Sequence, residues 1–198
     1  MLNASHWSGL LGWHEDGCGA AALAYPLPGA ERIAVIGTRL RLERRVRSYL
    51  HWSTPELEAW RPQALAGHRS ELFTIGELRR RRFLPLADLS FPLVVLSSLR
   101  EGPLSSGELD RLWSLYGLPA YEQIRDADET LLAWECDARA GWHLTAHAGE
   151  DAAFAAERLQ AAGWPGKPGD DPCACGETTA MLAAPAQHNV LVMACGAH

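Results

Sequence analysis

The chain has 198 residues, of which 47% are hydrophobic and 21% charged, and a formal net charge of -6. Its length suits one α/β-sized domain with a single core. The acidic balance gives no electrostatic case for nucleic acid, whose phosphates need a basic field. No apolar run approaches the roughly 18 residues of a membrane helix, and the start of the sequence lacks the pattern of a signal peptide. Five cysteines are an odd number at low density. They fit a reducing, cytoplasmic setting with metal ligation better than a disulfide framework.

In chain order, residues 1–30 are rich in Gly, Trp and His, and Ser8 to Gly12 reads as a loop. The β-branched run 32–37 closes on Gly37 and reads as a strand, and the leucine spacing of 40–50 predicts a helix after it. Ser53, Thr54, Pro55 and Glu56 form a helix-start signal, so a helix is expected to run through Trp60 and stop before Pro62. A further helix fits 70–83. It ends in Arg79, Arg80, Arg81 and Arg82, a solvated face that complements the helix dipole.

Residues 92–97 are apolar without alternation, as in a strand buried on both faces. Leu104 to Leu109 open a helix that runs to about Tyr116 and stops at Gly117. Short strands follow at 118–123 and 131–135. This order argues for a mainly parallel sheet flanked by helices, in one α/β domain over 1–198 with its sheet core at 30–145. The remainder, 146–198, contains an Ala-rich helix at 151–162, a Gly/Pro loop at 163–172 and a closing strand at 190–195.

The chemistry concentrates late in the chain. Cys136 and His143 have six residues between them, and the pair Cys173 and Cys175 follows after 29 more. Cys3His is a standard ligand set for a closed structural zinc site, with no open position for hydrolytic chemistry. The plain alternative is buried free thiols with a hydrogen-bonded core histidine. His147 and Cys195 are possible substitute ligands. Tyr121, Glu122 and Gln123 end a strand at the carboxyl edge of a parallel sheet, where open α/β folds bind ligands. Asp126, Asp128 and Glu129 form an acidic turn that could take magnesium, although a solvated turn is the simpler reading.

Four blocks of this sequence resemble the phenylacetate-CoA ligase family of adenylate-forming enzymes. Residues 57–70 are similar to its helix leading into P-x-x-L-x-G-Y-x-S, and 93–109 to the strand, turn and helix that follow. Tyr116 to Gln123 resemble its F-G-V-P-V-Y-D strand. Ala133 to Leu144 are similar to A-Y-E-C-E-x-x-x-G-L-H-I, and Cys173 to Gly176 match C-P-C-G. The resemblance implies a zinc ion held by Cys136, His143, Cys173 and Cys175, and a sheet like part of the large N-terminal domain of those ligases.

Departures from the family pattern set the functional expectation. Making an acyl-adenylate requires donors around the phosphates as pyrophosphate leaves, yet Leu10 and Leu11 stand where the resemblance would place hydroxyl residues. Ile124 to Glu129 replace the family's Y-G-x-T-E nucleotide loop, although Asp128 or Glu129 could still supply an acid. Lys167, the one lysine in the sequence, lies in a Pro/Gly loop, whereas the resemblance would place the family's catalytic lysine in a C-terminal subdomain. The expectation is therefore a shortened, zinc-binding and non-catalytic relative that binds a partner protein or a small acyl or nucleotide ligand. Tyr121, Glu122, Gln123 and Glu129 are its candidate ligand residues. The alternative is an active AMP-forming acid-CoA ligase completed by another chain.

Overall fold

The structure, a computed structural model, describes residues 23–24, 29–38, 44–52, 55–84, 86, 88–145, 152–169 and 171–184. The loop at Ser8 to Gly12, the cap residues Ser53 and Thr54, the closing strand at 190–195, and His147 and Cys195 lie outside them.

Among the described residues, nine strands form one sheet. They are β1 (Ile33–Ile36), β2 (Val46–Tyr49), β3 (Ala64–His68), β4 (Leu93–Ser98), β5 (Ala120–Arg125), β6 (Leu131–Glu135), β7 (Gly141–Leu144), β8 (Lys167–Gly169) and β9 (Met181–Ala183). The helices are α1 (Pro55–Trp60), α2 (Arg69–Arg80), α3 (Ser106–Tyr116) and α4 (Ala152–Ala161). Strand order is β2-β1-β3-β4-β5-β6-β7-β9-β8. The first five strands pair in parallel, and from β5 onward every pairing is antiparallel. The sheet is thus mixed, and all its strands except β6 and β9 run in one direction.

The parallel half follows from the β-branched runs. Ile33, Ala34, Val35 and Ile36 are fully buried, as are Leu93 to Leu96, because both sheet faces are covered there. Side chains alternate between faces. On one face Ala34, Ile36, Leu65, Leu93 and Val95 meet Leu57 of α1, Leu72 and Ile75 of α2, and Leu112 and Leu115 of α3. On the other, Ile33, Val35, Ala64, Ala66, Val94 and Leu96 pack with Leu23 and Phe91. Further along, Ile124, Ala133, Trp142 and Leu144 meet Ala155, Ala156 and Leu159 of α4, and Trp142 meets Trp164 edge-to-face at 5.5 Å.

The sheet is flanked by helices as expected, and all four described helices lie on the same face of it. The physical reason is topological. The crossovers β3-α2-β4 and β4-α3-β5 step the same way across the sheet, and right-handed connections that step one way put their helices on one side.

The helix expected at 40–50 is also overturned at its described end. Residues 46–49 are β2, parallel to β1 with Ile33 opposite Val46 and Ile36 opposite Tyr49. Apolar residues at 46 and 49 fit a helical spacing, but Val46 and Tyr49 favour a pleated edge and are buried there.

The expected helices at 55–60, 70–83, 104–116 and 151–162 are present with small boundary shifts. Helix α3 carries a full capping box between Ser105 and Glu108 and ends on Gly117 in the left-handed conformation. Arg80, Arg81 and Arg82 are exposed as expected, while Arg79 is half-buried. Arg79 donates to the carbonyls of Leu115 and Tyr116 at 3.2 and 3.3 Å and so ties α2 to the end of α3. No helix among the described residues is long and apolar enough to cross a membrane.

Candidate metal centre

Strands β6 and β7 form a hairpin whose turn, residues 136–140, closes with the Arg139 N–H on the Cys136 carbonyl at 3.1 Å. Cys136 therefore sits where the chain leaves β6, its sulfur wholly buried. In this register Trp134 lies opposite His143, and His143 opposite Met181 of β9. With Gln123 opposite Trp134, these residues form one row across four strands, on the face away from α4. Gly141 makes the close β7–β9 approach possible. Its φ is +146°, and a Cβ there would run into the backbone of Leu182 and Ala184.

The other two thiols arrive from the segment between β8 and β9. There a tight turn donates the Gly176 N–H to the Cys173 carbonyl at 2.9 Å. The ligand atoms of Cys136, His143, Cys173 and Cys175 all lie within 4.8 Å of one another. Cys136 Sγ is 3.5 Å from Cys173 Sγ, and Cys175 Sγ is 3.3 Å from His143 Nε2. A tetrahedral ion with metal–sulfur bonds near 2.3 Å and metal–nitrogen bonds near 2.0 Å places its ligand atoms roughly 3.5 to 3.8 Å apart. The donor set suits such an ion in chemistry, and the Cys136–Cys173 and Cys175–His143 separations are close to that spacing.

The electrostatics of the site match this reading. Burial pushes the Cys136 thiol well above its ordinary value, and the neighbouring Cys173 thiol adds to the shift. Burial also raises Cys175, which is half-buried, against the N–H of Glu177 that points at its sulfur at 3.4 Å. For His143 burial lowers the value, and the Glu177 carboxylate opposes it only partly. Burial thus disfavours the charged forms of Cys136, Cys175 and His143 alike while no ion is bound. A dication bound there would release the ligating thiols' protons to solvent and balance the thiolate charge that results.

The candidate ligand residues are not brought to the same place. Tyr121 is buried under the Arg139 guanidinium, 4.9 Å from its ring, while Arg139 also donates to the Ala120 carbonyl at 3.1 Å. Glu122 points to the opposite, helix-bearing face, where its Oε1 accepts from Ser97 Oγ at 2.6 Å and the Leu104 N–H at 3.1 Å. Gln123 accepts from the buried Arg125 guanidinium at 3.0 Å, and Arg125 also donates to the Glu129 carbonyl at 2.7 Å. Asp126 closes the acidic turn on itself by accepting from the N–H groups of Asp128 and Thr130.

Glu129 stands 3.7 Å from His68 Nε2, whose ring also contacts the Leu96 carbonyl through Nδ1 at 3.2 Å. His68 is thus a polar residue at the carboxyl edge of the sheet that sequence reasoning missed. The signal was the strand it ends: Ala64 to His68 are too short and too poor in β-branched residues to be recognised, yet they pair with both β1 and β4.

No protein-family model matches this chain, and no curated protein matches it. Among solved structures it is similar to an open conformation of 2-hydroxyisobutyryl-CoA ligase in complex with 2-HIB-AMP and CoA. The identity is 13% and the TM-score 0.47, over 78% of this chain and 44% of that one. It is also similar to the same ligase in the postadenylation state, at 14% identity and a TM-score of 0.48, over 78% of this chain and 43% of that one. This chain spans less than half the length of either ligase chain.

Proposed function

We propose that the protein is a zinc-stapled, non-catalytic α/β module, a relative of the acyl-adenylating ligases that works by binding rather than by chemistry. The observation that carries the reading is the convergence of Cys136, His143, Cys173 and Cys175 within 4.8 Å from two distant segments of chain. Three thiols and one imidazole suit zinc, and four protein ligands leave no position for a substrate or a reactive water. The ion's role is then to pin the 171–184 segment to the β6–β7 hairpin.

The binding role rests on what occupies the carboxyl edge of the sheet. Arg125 and Gln123 bond to one another there, and Glu122 is tied into the opposite face. Glu129 and His68 are the polar groups left facing each other at that edge. This pair is where a small acyl or nucleotide ligand would contact the chain, and a partner protein is the other class of ligand the reading allows.

Elemental analysis of the purified chain tests the metal, with one zinc per chain expected and Cys136→Ser expected to lose it. ATP–pyrophosphate exchange with a panel of aryl and acyl acids tests the absence of chemistry. No exchange above background is expected. Robust exchange would establish acid adenylation and overturn the non-catalytic reading in favour of an AMP-forming ligase, and a Cys136→Ser protein with full zinc and unchanged stability would remove the site.

A further inference from the structure

An imidazole nitrogen that ligates a metal must present a lone pair, so in the neutral ring the proton has to sit on the other nitrogen. In His143 the nitrogen facing the thiols is Nε2, 3.3 Å from Cys175 Sγ. The other, Nδ1, lies 3.1 Å from the Thr179 hydroxyl oxygen. A hydroxyl can accept from an Nδ1–H while its own proton turns elsewhere. We infer that Thr179 is the positioning residue of the metal centre: its oxygen holds the proton on Nδ1, and the ring then offers Nε2 to the ion. This rests on the metal-binding reading and deepens it.

Two further features make Thr179 a built-in part of the site. The Leu144 N–H donates to the Ala180 carbonyl at 2.8 Å, and Met181 lies opposite His143, so the β7–β9 register holds Thr179 beside the ring. Thr179 also belongs to the segment that carries Cys173 and Cys175, so two ligands and the group that orients a third arrive together. On its flat face the imidazole is stacked on Trp134, with ring centroids 4.6 Å apart and planes inclined by 27°. The stack sets the plane of the ring. It leaves the flip that would exchange the ring edges to be decided by the partner of Nδ1.

Outer partners of this kind are typically worth 10- to 100-fold in metal affinity. The test uses the full chain and compares wild type, Thr179→Val and Thr179→Ser. Zinc affinity is measured by competition with a chromophoric chelator, and urea unfolding is followed with chelator in excess. Thr179→Val is expected to lose 10- to 100-fold in zinc affinity with metal-free stability unchanged, and Thr179→Ser to bind like wild type. Nitrogen-15 spectra of the zinc form should show the His143 proton on Nδ1. Wild-type affinity in Thr179→Val, or an equal loss in both variants, would overturn the assignment of Thr179 while leaving the metal site standing. A wild-type chain that binds neither zinc nor cobalt would instead remove the site itself.

Discussion

Glu122 is 3% exposed, yet it carries an ionisable carboxyl on a central strand. Its pKa is pushed up to about 8, chiefly by burial; the Ser97 hydroxyl opposes, the nearby Glu135 carboxylate adds, and Arg69 at 3.5 Å and the Leu104 N–H oppose. A carboxyl whose folded value lies above its ordinary 4.5 keeps its proton in the native state while the unfolded chain has already released it. Its contribution to stability is thus full below about 4.5, is lost as pH rises toward about 8, and is flat above that. Urea unfolding of metal-saturated wild type and Glu122→Gln across pH 5 to 8 checks this. The stability difference between the two should shift in favour of the variant as pH rises, because glutamine has no proton to lose. A pH-independent difference would mean that Arg69 and the two donors hold the carboxyl ionised throughout.

The Cys/His cluster was legible at this same scale because ligand chemistry admits few residue types. A thiol and an imidazole six residues apart, followed by a Cys-x-Cys in a Gly/Pro loop, point to a tetrahedral ion whatever the fold. Thr179 was not legible. A threonine is a common surface residue, and its meaning comes from the β7–β9 register that sets it against Nδ1 of His143.

At the scale of elements, α3 shows how local sequence specifies a helix end. Ser105 accepts from the Glu108 N–H at 3.3 Å, and Glu108 returns a bond to the Ser105 N–H at 2.9 Å. Glu108 also pairs with Arg69 at 3.1 Å, which links the start of α3 to the start of α2. Ser105→Ala should cost about 1 kcal/mol in urea unfolding, and Ser105→Asp should recover most of it. An unchanged midpoint in the alanine variant would show that tertiary contacts alone hold the first turn.

The helices, above all the capped α3, and the β-branched strands β1 and β4 could be read directly, because their signals are local. Strands β3, β7 and β9 could not. Ala64 to His68, Gly141 to Leu144 and Met181 to Ala183 contain little β-branched sequence. They are strands because neighbours on both sides supply their hydrogen bonds. The segment at 46–49 shows the converse, where an ambiguous apolar spacing was decided by pairing with β1.

For the whole molecule, the sheet divides into two regions that owe their order to different forces. The parallel strands are held between buried aliphatic layers. The far end relies on α4 for one face and on the Cys/His cluster for the other. A Cys3His ion can contribute on the order of 10 kcal/mol, as much as an entire domain's net stability. Stripping the metal with a strong chelator should therefore lower the thermal midpoint sharply. Hydrogen exchange should accelerate first in β7, β9 and the 171–180 segment, while β1, β3 and β4 stay protected. Uniform acceleration across all strands would show that the regions unfold as one unit.

Strand β8 ends the described sheet at the far side, and its middle residue is Pro168, opposite Leu182 of β9. A proline ring has no amide hydrogen to offer an incoming chain, and the charged Lys167 beside it is exposed. Among the described residues, growth of the sheet by strand addition is thus disfavoured at β8, on the side of the Cys/His cluster. Even with its 171–180 segment loosened by loss of the ion, the protein would be guarded at that border against joining a neighbour edge to edge.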